Sequence, residues 1–269
     1  MARTLSDLPS ALDRLDELGR RLAGRKPAVF LDYDGTLTPI VERPELAVLS
    51  DSMRRIVRDL ARRCPVAVVS GRDRTDVERL VGIDGLAFAG SHGFDIRVPG
   101  GRRIARREGE DFAPLLKAVE TRLHGALDAI EGARIEPKKA SVAVHYRQVA
   151  ETEWGRIAAV VEATLAEHGT LRATPGKMVY EIQPRLDWNK GRAVLWLLDA
   201  LGLTAPDVLP LYFGDDITDE DAFNALAGRG IGVLVGGAPG EAAGNRPTAA
   251  DYRLDTPEEA GRLLDTLAR

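Results

Sequence analysis

Short runs of uninterrupted apolar residues, each stopped abruptly by polar groups, constrain this chain most. They are Ala28-Val29-Phe30-Leu31, Pro65 to Val69, Leu86 to Ala89, Val208 to Phe213 and Ile231 to Val235. Runs of this length without polar alternation predict strands covered on both faces. Between them the spacing turns helical. Met53, Ile56, Val57 and Leu60 share one side after Ser50-Asp51, and helices are predicted over Arg74 to Val81, Asn189 to Leu201, Asp219 to Ala227 and Thr256 to Ala268. Leu8, Leu12, Leu15, Leu18 and Leu22 predict an amphipathic N-terminal helix. Strand alternating with helix predicts an α/β fold around a Rossmann-like parallel sheet.

The middle of the chain has another rhythm. Asp111 to Ile130 reads as helix, then Ala133 to Glu136 and Ser141 to Tyr146 as strands; Thr152 to His168, Leu171 to Thr174 and Met178 to Ile182 repeat the order. We expect an α+β module over 111–186, inserted into a domain formed by 1–110 and 187–269, with hinges near Glu110 and Pro184 to Asp187. Gly236 to Gly244 reads as a glycine-rich loop.

Charge and composition narrow the function. With 41 acidic and 37 basic residues, the net charge of −4 argues against a general nucleic-acid binder. No apolar run approaches the ~20 residues of a membrane span, and Met1 to Arg25 has no apolar signal core. A single Cys64 excludes a disulfide framework and a multi-Cys zinc site. The expectation is a cytoplasmic protein without nucleic-acid or membrane partners, its oligomeric state open and a monomer favoured. Only six of the 37 cations are Lys, at 26, 117, 138, 139, 177 and 190, so each is a candidate point charge that Arg imitates poorly.

Chemistry concentrates where strands end. Asp32-Tyr33-Asp34-Gly35-Thr36-Leu37 follows the first run. Two carboxylates at i and i+2 can converge on one ligand at the strand edge where open α/β sheets bind. Unpaired buried acids are costly, and a hard cation such as Mg²⁺ relieves that cost. Ser70-Gly71-Arg72 offers a hydroxyl and backbone N–H groups to a phosphate oxygen. Lys190 opens a helix, where a cation opposes the dipole and an anion contact explains it better. Gly214-Asp215-Asp216-Ile217-Thr218-Asp219-Glu220-Asp221 places five acids within seven residues. Capping accounts for the later ones, but not for Asp215 at the strand's end.

In this order the four segments resemble the haloacid dehalogenase superfamily of phosphatases. The resemblance implies a parallel-sheet core with an inserted α+β cap. It implies Asp32 as nucleophile forming an aspartyl-phosphate, and Asp34 as acid to the leaving oxygen and base to water. Ser70 and Lys190 would hold phosphoryl oxygens. Mg²⁺ would bind Asp32, Asp215 and the backbone carbonyl of Asp34, with Asp219 supporting and Asp216 either ligand or neighbour. P-type ATPases are excluded, because they need membrane spans.

Three more elements resemble the trehalose-6-phosphate phosphatase family. They are Gly90-Ser91-His92-Gly93; Glu136-Pro137-Lys138 with His145-Tyr146-Arg147; and Gly176-Lys177-Met178-Val179-Tyr180-Glu181 followed by Asn189-Lys190-Gly191. The resemblance implies a small sugar-phosphate substrate. Glu136, Lys138 and Glu181 would face the sugar, and His145, Arg147, Lys177, Ser91, His92, Gly71 and Arg72 complete the candidate contacts. Gln148-Val149-Ala150 after Arg147 and Asp187-Trp188 before Asn189 depart from the family pattern, and Trp188 is either core or an intruder on the sugar pocket. Competing readings are a relative acting on sucrose phosphate or a glycosyl phosphoglycerate, a phosphohexomutase, and a non-catalytic sensor or partner of a trehalose synthase. A phosphate loop at Gly176-Lys177 fails because Leu171 and Met178 stand where Gly and Ser/Thr are needed. A dinucleotide fingerprint at Gly228 fails at Val233, and the four His are too scattered for zinc.

Overall fold

The computed structural model describes residues 3–105, 112–176, 178–236 and 247–269. These divide into two compact units: Met1–Arg103 with Trp188–Arg269, and Ile104–Asp187. The first begins with β1 (Arg3–Thr4) and α1 (Leu15–Leu22). It continues through β2 (Lys26–Leu31), α2 (Asp51–Ala61), β3 (Val66–Val69), α3 (Arg74–Val81), β4 (Ala87–Gly90) and β5 (Asp95–Arg97), and the boundary falls inside β6 (Arg103–Ala105). Ser50 caps α2 by accepting from the Met53 N–H at 3.2 Å.

The predicted N-terminal helix is shorter than its leucine spacing suggests. Around Pro9 the backbone pairs with the far end of the chain: Arg253 N–H donates to the Pro9 carbonyl at 3.0 Å, and Ala11 N–H to the Arg253 carbonyl at 2.9 Å. Those groups are then unavailable to a helix, so α1 starts only at Leu15.

The second unit contains α4 (Ala113–Leu127), β7 (Arg134–Pro137), β8 (Val142–His145), α5 (Glu151–Glu167), β9 (Leu171–Gly176) and β10 (Val179–Pro184). Helix followed by two strands occurs twice, as the sequence predicts. The four strands form an antiparallel sheet in the order β7-β8-β10-β9. Period-2 alternation separates its faces. Val142, Val144, Leu171 and Ile182 join Leu116, Val119, Leu123 and Ile157 of the helices in one apolar core. Register places Glu136 opposite Ala143, Ala143 opposite Glu181, and Glu181 opposite Thr174. One polar row thus crosses the other face.

The chain returns to the first unit with α6 (Lys190–Ala200), β11 (Val208–Gly214), α7 (Glu220–Leu226), β12 (Ile231–Val235), β13 (Pro247–Thr248), β14 (Tyr252–Leu254) and α8 (Pro257–Leu267). Among the described residues the main sheet has eight strands in the order β14-β12-β11-β2-β3-β4-β5-β6. It is parallel from β14 to β4, and β5 runs antiparallel to β4. From β2 the chain first builds towards β4, then crosses back to build from β11 towards β14. The boundary between β2 and β11 is therefore the topological switch point, where such sheets bind ligands at their carboxyl ends. Both strands are buried at their carboxyl ends, with Leu31 and Phe213 in the closed core. Trp188 is buried in this unit, its indole against Gly93. No helix among the described residues is long and apolar enough to cross a membrane.

Candidate active site

Asp32 and Asp215 leave adjacent strands at the switch point. The Asp32 N–H donates to the Phe213 carbonyl at 2.9 Å, which ties the two strand ends together. Asp219 stands one short turn further on, over Ile217–Asp219. Asp32, Asp215 and Asp219 are 4%, 5% and 0% exposed, and one carboxylate oxygen from each lies within 4.8 Å of the others. Gly35 permits this convergence. Its φ is +82°, and a Cβ there would fall 2.1 Å from Asp215 Oδ2.

Lys190 is the cation of the cluster. Asn189 caps α6 by accepting from the Arg192 N–H at 2.9 Å, and the Lys190 Nζ donates to Asp32 Oδ1 and Asp219 Oδ1, each at 2.7 Å. Burial works against its charge, yet Asp219 and Asp32 outweigh burial and raise its pKa. Asp219 accepts four hydrogen bonds. Lys190 and the Tyr212 hydroxyl, at 2.6 Å, reach Oδ1; the N–H groups of Asp215 and Asp216, at 3.0 and 2.9 Å, reach Oδ2. Burial alone would raise its pKa, but Lys190, Tyr212 and the Asp216 N–H hold it below the ordinary carboxylate value.

Three buried carboxylates face one ammonium here. Burial, with Asp219 and Asp215 adding to it and Lys190 opposing it, pushes Asp32 well above its ordinary pKa. A divalent cation among oxygen-only donors corrects such an imbalance, so the cluster fits a hard metal ion. Asp32 and Asp215 are the best-placed donors, because hydrogen bonds already saturate Asp219. Asp216 does not join the cluster. Its Oδ1 caps the following turn, accepting from the Ile217 N–H at 2.7 Å.

The segment after β3 forms a second wall. Ser70 is buried, and its Oγ accepts from the Arg72 N–H at 3.1 Å. Ser91, His92 and Gly93 follow one another in left-handed backbone, at φ 49°, 54° and 96°. Two consecutive non-glycine residues there are strained, a condition that clusters at functional sites. The turn is held by the Ser91 Oγ donating to Asp73 Oδ1 at 2.9 Å and the His92 N–H donating to the Ser70 carbonyl at 2.9 Å. The imidazole of His92 lies on Gly71, where a Cβ would be 2.8 Å from its Cε1. The Arg72 guanidinium lies on the Asp34 carboxylate, with Nε to Oδ2 and Nη2 to Oδ1 both 2.7 Å.

Within the second unit the expected sugar contacts gather on the polar sheet face. Lys138 Nζ donates to Glu181 Oε2 at 2.9 Å, and the Ser141 hydroxyl donates to Glu181 Oε1. His145 Nε2 meets Glu136 Oε2 at 2.7 Å. Burial opposes ionisation of Glu136, but the His145 hydrogen bond and the charges of Lys138, His145 and Arg134 bring its pKa down to about 2. Arg147 is exposed in the turn beyond β8. Lys177 and Glu110 lie outside the described residues. Tyr212 and Asp76 escape the sequence reading, since no motif or periodicity marks a core tyrosine or a helix acid as a partner of the site, and Tyr33 is read there only as part of the acidic motif, with no role of its own.

A parallel sheet whose switch point gathers a strand-end Asp, a helix-opening Lys and a second acidic loop defines a protein of the haloacid-dehalogenase-like fold class. A haloacid dehalogenase-like hydrolase from Bacteroides thetaiotaomicron shares the fold, with a TM-score of 0.60 at 18% identity over 90% of this chain and 98% of that one. The trehalose-phosphatase family model matches residues 30–258. A protein of Arabidopsis thaliana described as "probable trehalose-phosphate phosphatase D" is 43% identical over 270 residues, covering 96% of this chain and 72% of that protein. The C-terminal domain of the Candida albicans trehalose-6-phosphate phosphatase superposes with a TM-score of 0.81 at 25% identity, covering 99% and 98% of the two chains. The chain belongs to the trehalose-phosphatase family of phosphoric monoester hydrolases.

Proposed function

We propose that this chain hydrolyses trehalose 6-phosphate to trehalose and inorganic phosphate through an aspartyl-phosphate on Asp32. The observation that carries the chemistry is Asp32 itself, buried at the switch point with the Lys190 ammonium 2.7 Å from its Oδ1. That contact holds the carboxylate in place and sets a positive charge where phosphoryl oxygens would arrive. Asp32 attacks phosphorus, the bond from phosphorus to the sugar oxygen breaks, and Asp34 protonates that oxygen. Asp34 then takes a proton from water, which attacks phosphorus and releases phosphate and the free Asp32 carboxylate. Ser70 and Lys190 hold the non-bridging oxygens.

Mg²⁺ is the ion proposed for the acidic cluster, where Asp32, Asp215 and the Asp34 carbonyl would hold it. When bound it supplies the charge that offsets repulsion between carboxylates and the phosphoryl group. Glu136, Lys138 and Glu181 are the proposed sugar contacts. Their carboxylates accept from, and the ammonium donates to, the many hydroxyls of a disaccharide. The inserted module of 111–186 is the proposed specificity domain, hinged near Glu110 and near Pro184 to Asp187. The proposed compartment is the cytoplasm, in keeping with the single Cys64, a free buried thiol.

A phosphate-release screen over sugar phosphates with Mg²⁺ tests this function. Trehalose 6-phosphate is expected to be the best substrate. No release from it, alongside good hydrolysis of sucrose phosphate or a glycosyl phosphoglycerate, rejects the assignment.

A further inference from the structure

Arg72 is held by more partners than a substrate contact can share. Its Nε and Nη2 grip both oxygens of Asp34 at 2.7 Å each, its Nη1 reaches Asp76 Oδ2 at 3.0 Å, and Nη2 also reaches the Pro44 carbonyl at 2.7 Å. Four of the five guanidinium N–H groups are thereby engaged. A bidentate grip on a phosphoryl group needs two parallel donors, and Arg72 cannot offer two without releasing Asp34.

The surroundings keep the fork in this orientation. Tyr33 stands between the two motif acids and is fully buried, and its hydroxyl donates to the Ala47 carbonyl at 2.8 Å. The guanidinium lies over its ring, 5.3 Å from the centroid. Asp76 belongs to the first turn of α3, where the helix dipole favours an acid. Its second oxygen accepts from Arg79 Nη2 at 2.7 Å. The Arg72 side chain is 10% exposed, whereas that of Asp34 is 38% exposed. The cation is thus fixed inside, and the carboxylate it grips still presents lone pairs outward.

We propose that Arg72 is a positioning residue for Asp34. It aims the carboxylate that exchanges protons with the leaving oxygen and with water, and it does not hold the phosphoryl group. This inference rests on the acid–base role of Asp34 in the proposed function. Lysine cannot replace Arg72, because a point charge does not span two carboxylate oxygens.

A double-mutant cycle tests it, run on whichever sugar phosphate the wild-type chain hydrolyses fastest. Arg72→Ala, Asp34→Asn and the double variant are compared for kcat and KM. The affinity of each Mg²⁺-loaded protein for inorganic phosphate is measured by calorimetry. Arg72→Ala is expected to lower kcat by about 10- to 100-fold, a part of the roughly 10²- to 10⁴-fold that a positioned acid–base group contributes. KM and the phosphate Kd should stay within about threefold, and the double variant should be no slower than Asp34→Asn alone. Arg72→Lys should recover little of the lost kcat. Should Arg72→Ala fail to fold, Arg72→Lys takes its place in the cycle with the same expectations. A phosphate Kd weakened more than about tenfold, or losses that multiply in the double variant, overturns the proposal, since either marks Arg72 as acting independently of Asp34. A fastest substrate other than trehalose 6-phosphate would count against the proposed substrate and leave the cycle readable.

Discussion

Asp32 shows how much one position can depend on its neighbours. Its carboxylate is buried, anchored by Lys190, and joined through its own N–H to the strand that delivers Asp215. Asn at this position keeps the shape and a hydrogen-bond acceptor but is a poor nucleophile. Asp32→Asn is therefore expected to abolish turnover, a loss of at least about 10³-fold for an enzyme stripped of its nucleophile. Its circular dichroism and thermal unfolding should match wild type within a few degrees. Unchanged turnover would remove Asp32 from the nucleophile's role. The motif acids were legible in the sequence because they interrupt an apolar run. The residues that secure them were not: Tyr212 lies inside such a run and reads as core until its hydroxyl is found on Asp219.

Helices and strands of the second unit separate by face: one carries the apolar core, the other the proposed sugar contacts. Leu123 of α4 is fully buried among Val142, Val144 and Ile182 of the sheet and Ile157 of α5. Leu123→Ala should destabilise the chain by about 2–5 kcal/mol through lost burial and the remaining cavity, measurable as a lower urea midpoint. On the polar face, Glu136 has its pKa drawn from 4.5 to about 2 by His145, Lys138 and Arg134 against the effect of burial. A group depressed on folding stabilises above its unfolded pKa, and the contribution fades as pH falls from about 4.5 towards 2. Glu136→Gln should therefore melt lower than wild type at pH 6, by a difference on the order of 1 kcal/mol for this pair, whose side chains are 30% and 25% exposed. The gap should narrow as the pH is lowered through 3 and close only near pH 2. A gap that stays constant across that range would assign the effect to packing. At this scale the four strands of the second unit were legible, whereas β5 and β6 were missed. Asp95, Arg97 and Arg103 give them no apolar pattern, and β5 is ordered by ion pairs such as Arg74 Nε to Asp95 Oδ1 at 3.1 Å.

For the whole molecule, the proposed function assigns bond breaking to one unit and sugar recognition to the other. Substitutions in the two should then differ in kinetic signature. Glu181→Ala removes the carboxylate that Lys138 and Ser141 hold in place. It is expected to raise KM for trehalose 6-phosphate by about tenfold, the size of a lost charged hydrogen bond, and to leave KM for a small phosphate ester nearly unchanged. Equal effects on both substrates would argue that Glu181 serves the sheet alone.

What the sequence determined by itself was the layered α/β architecture, the inserted α+β module and the acidic motifs at strand ends. These depend on local periodicity and on where apolar runs stop, properties that survive in a one-dimensional string. The tertiary structure alone decided the partners. Asp219 became saturated by four donors, Asp216 capped a turn beside the cluster, Trp188 packed against Gly93 in the core, and Arg72 settled on Asp34. Hydrogen bonds and ion pairs join residues as far apart in sequence as Asp32 and Lys190. Their geometry exists only once the strands on both sides of the switch point have taken their register.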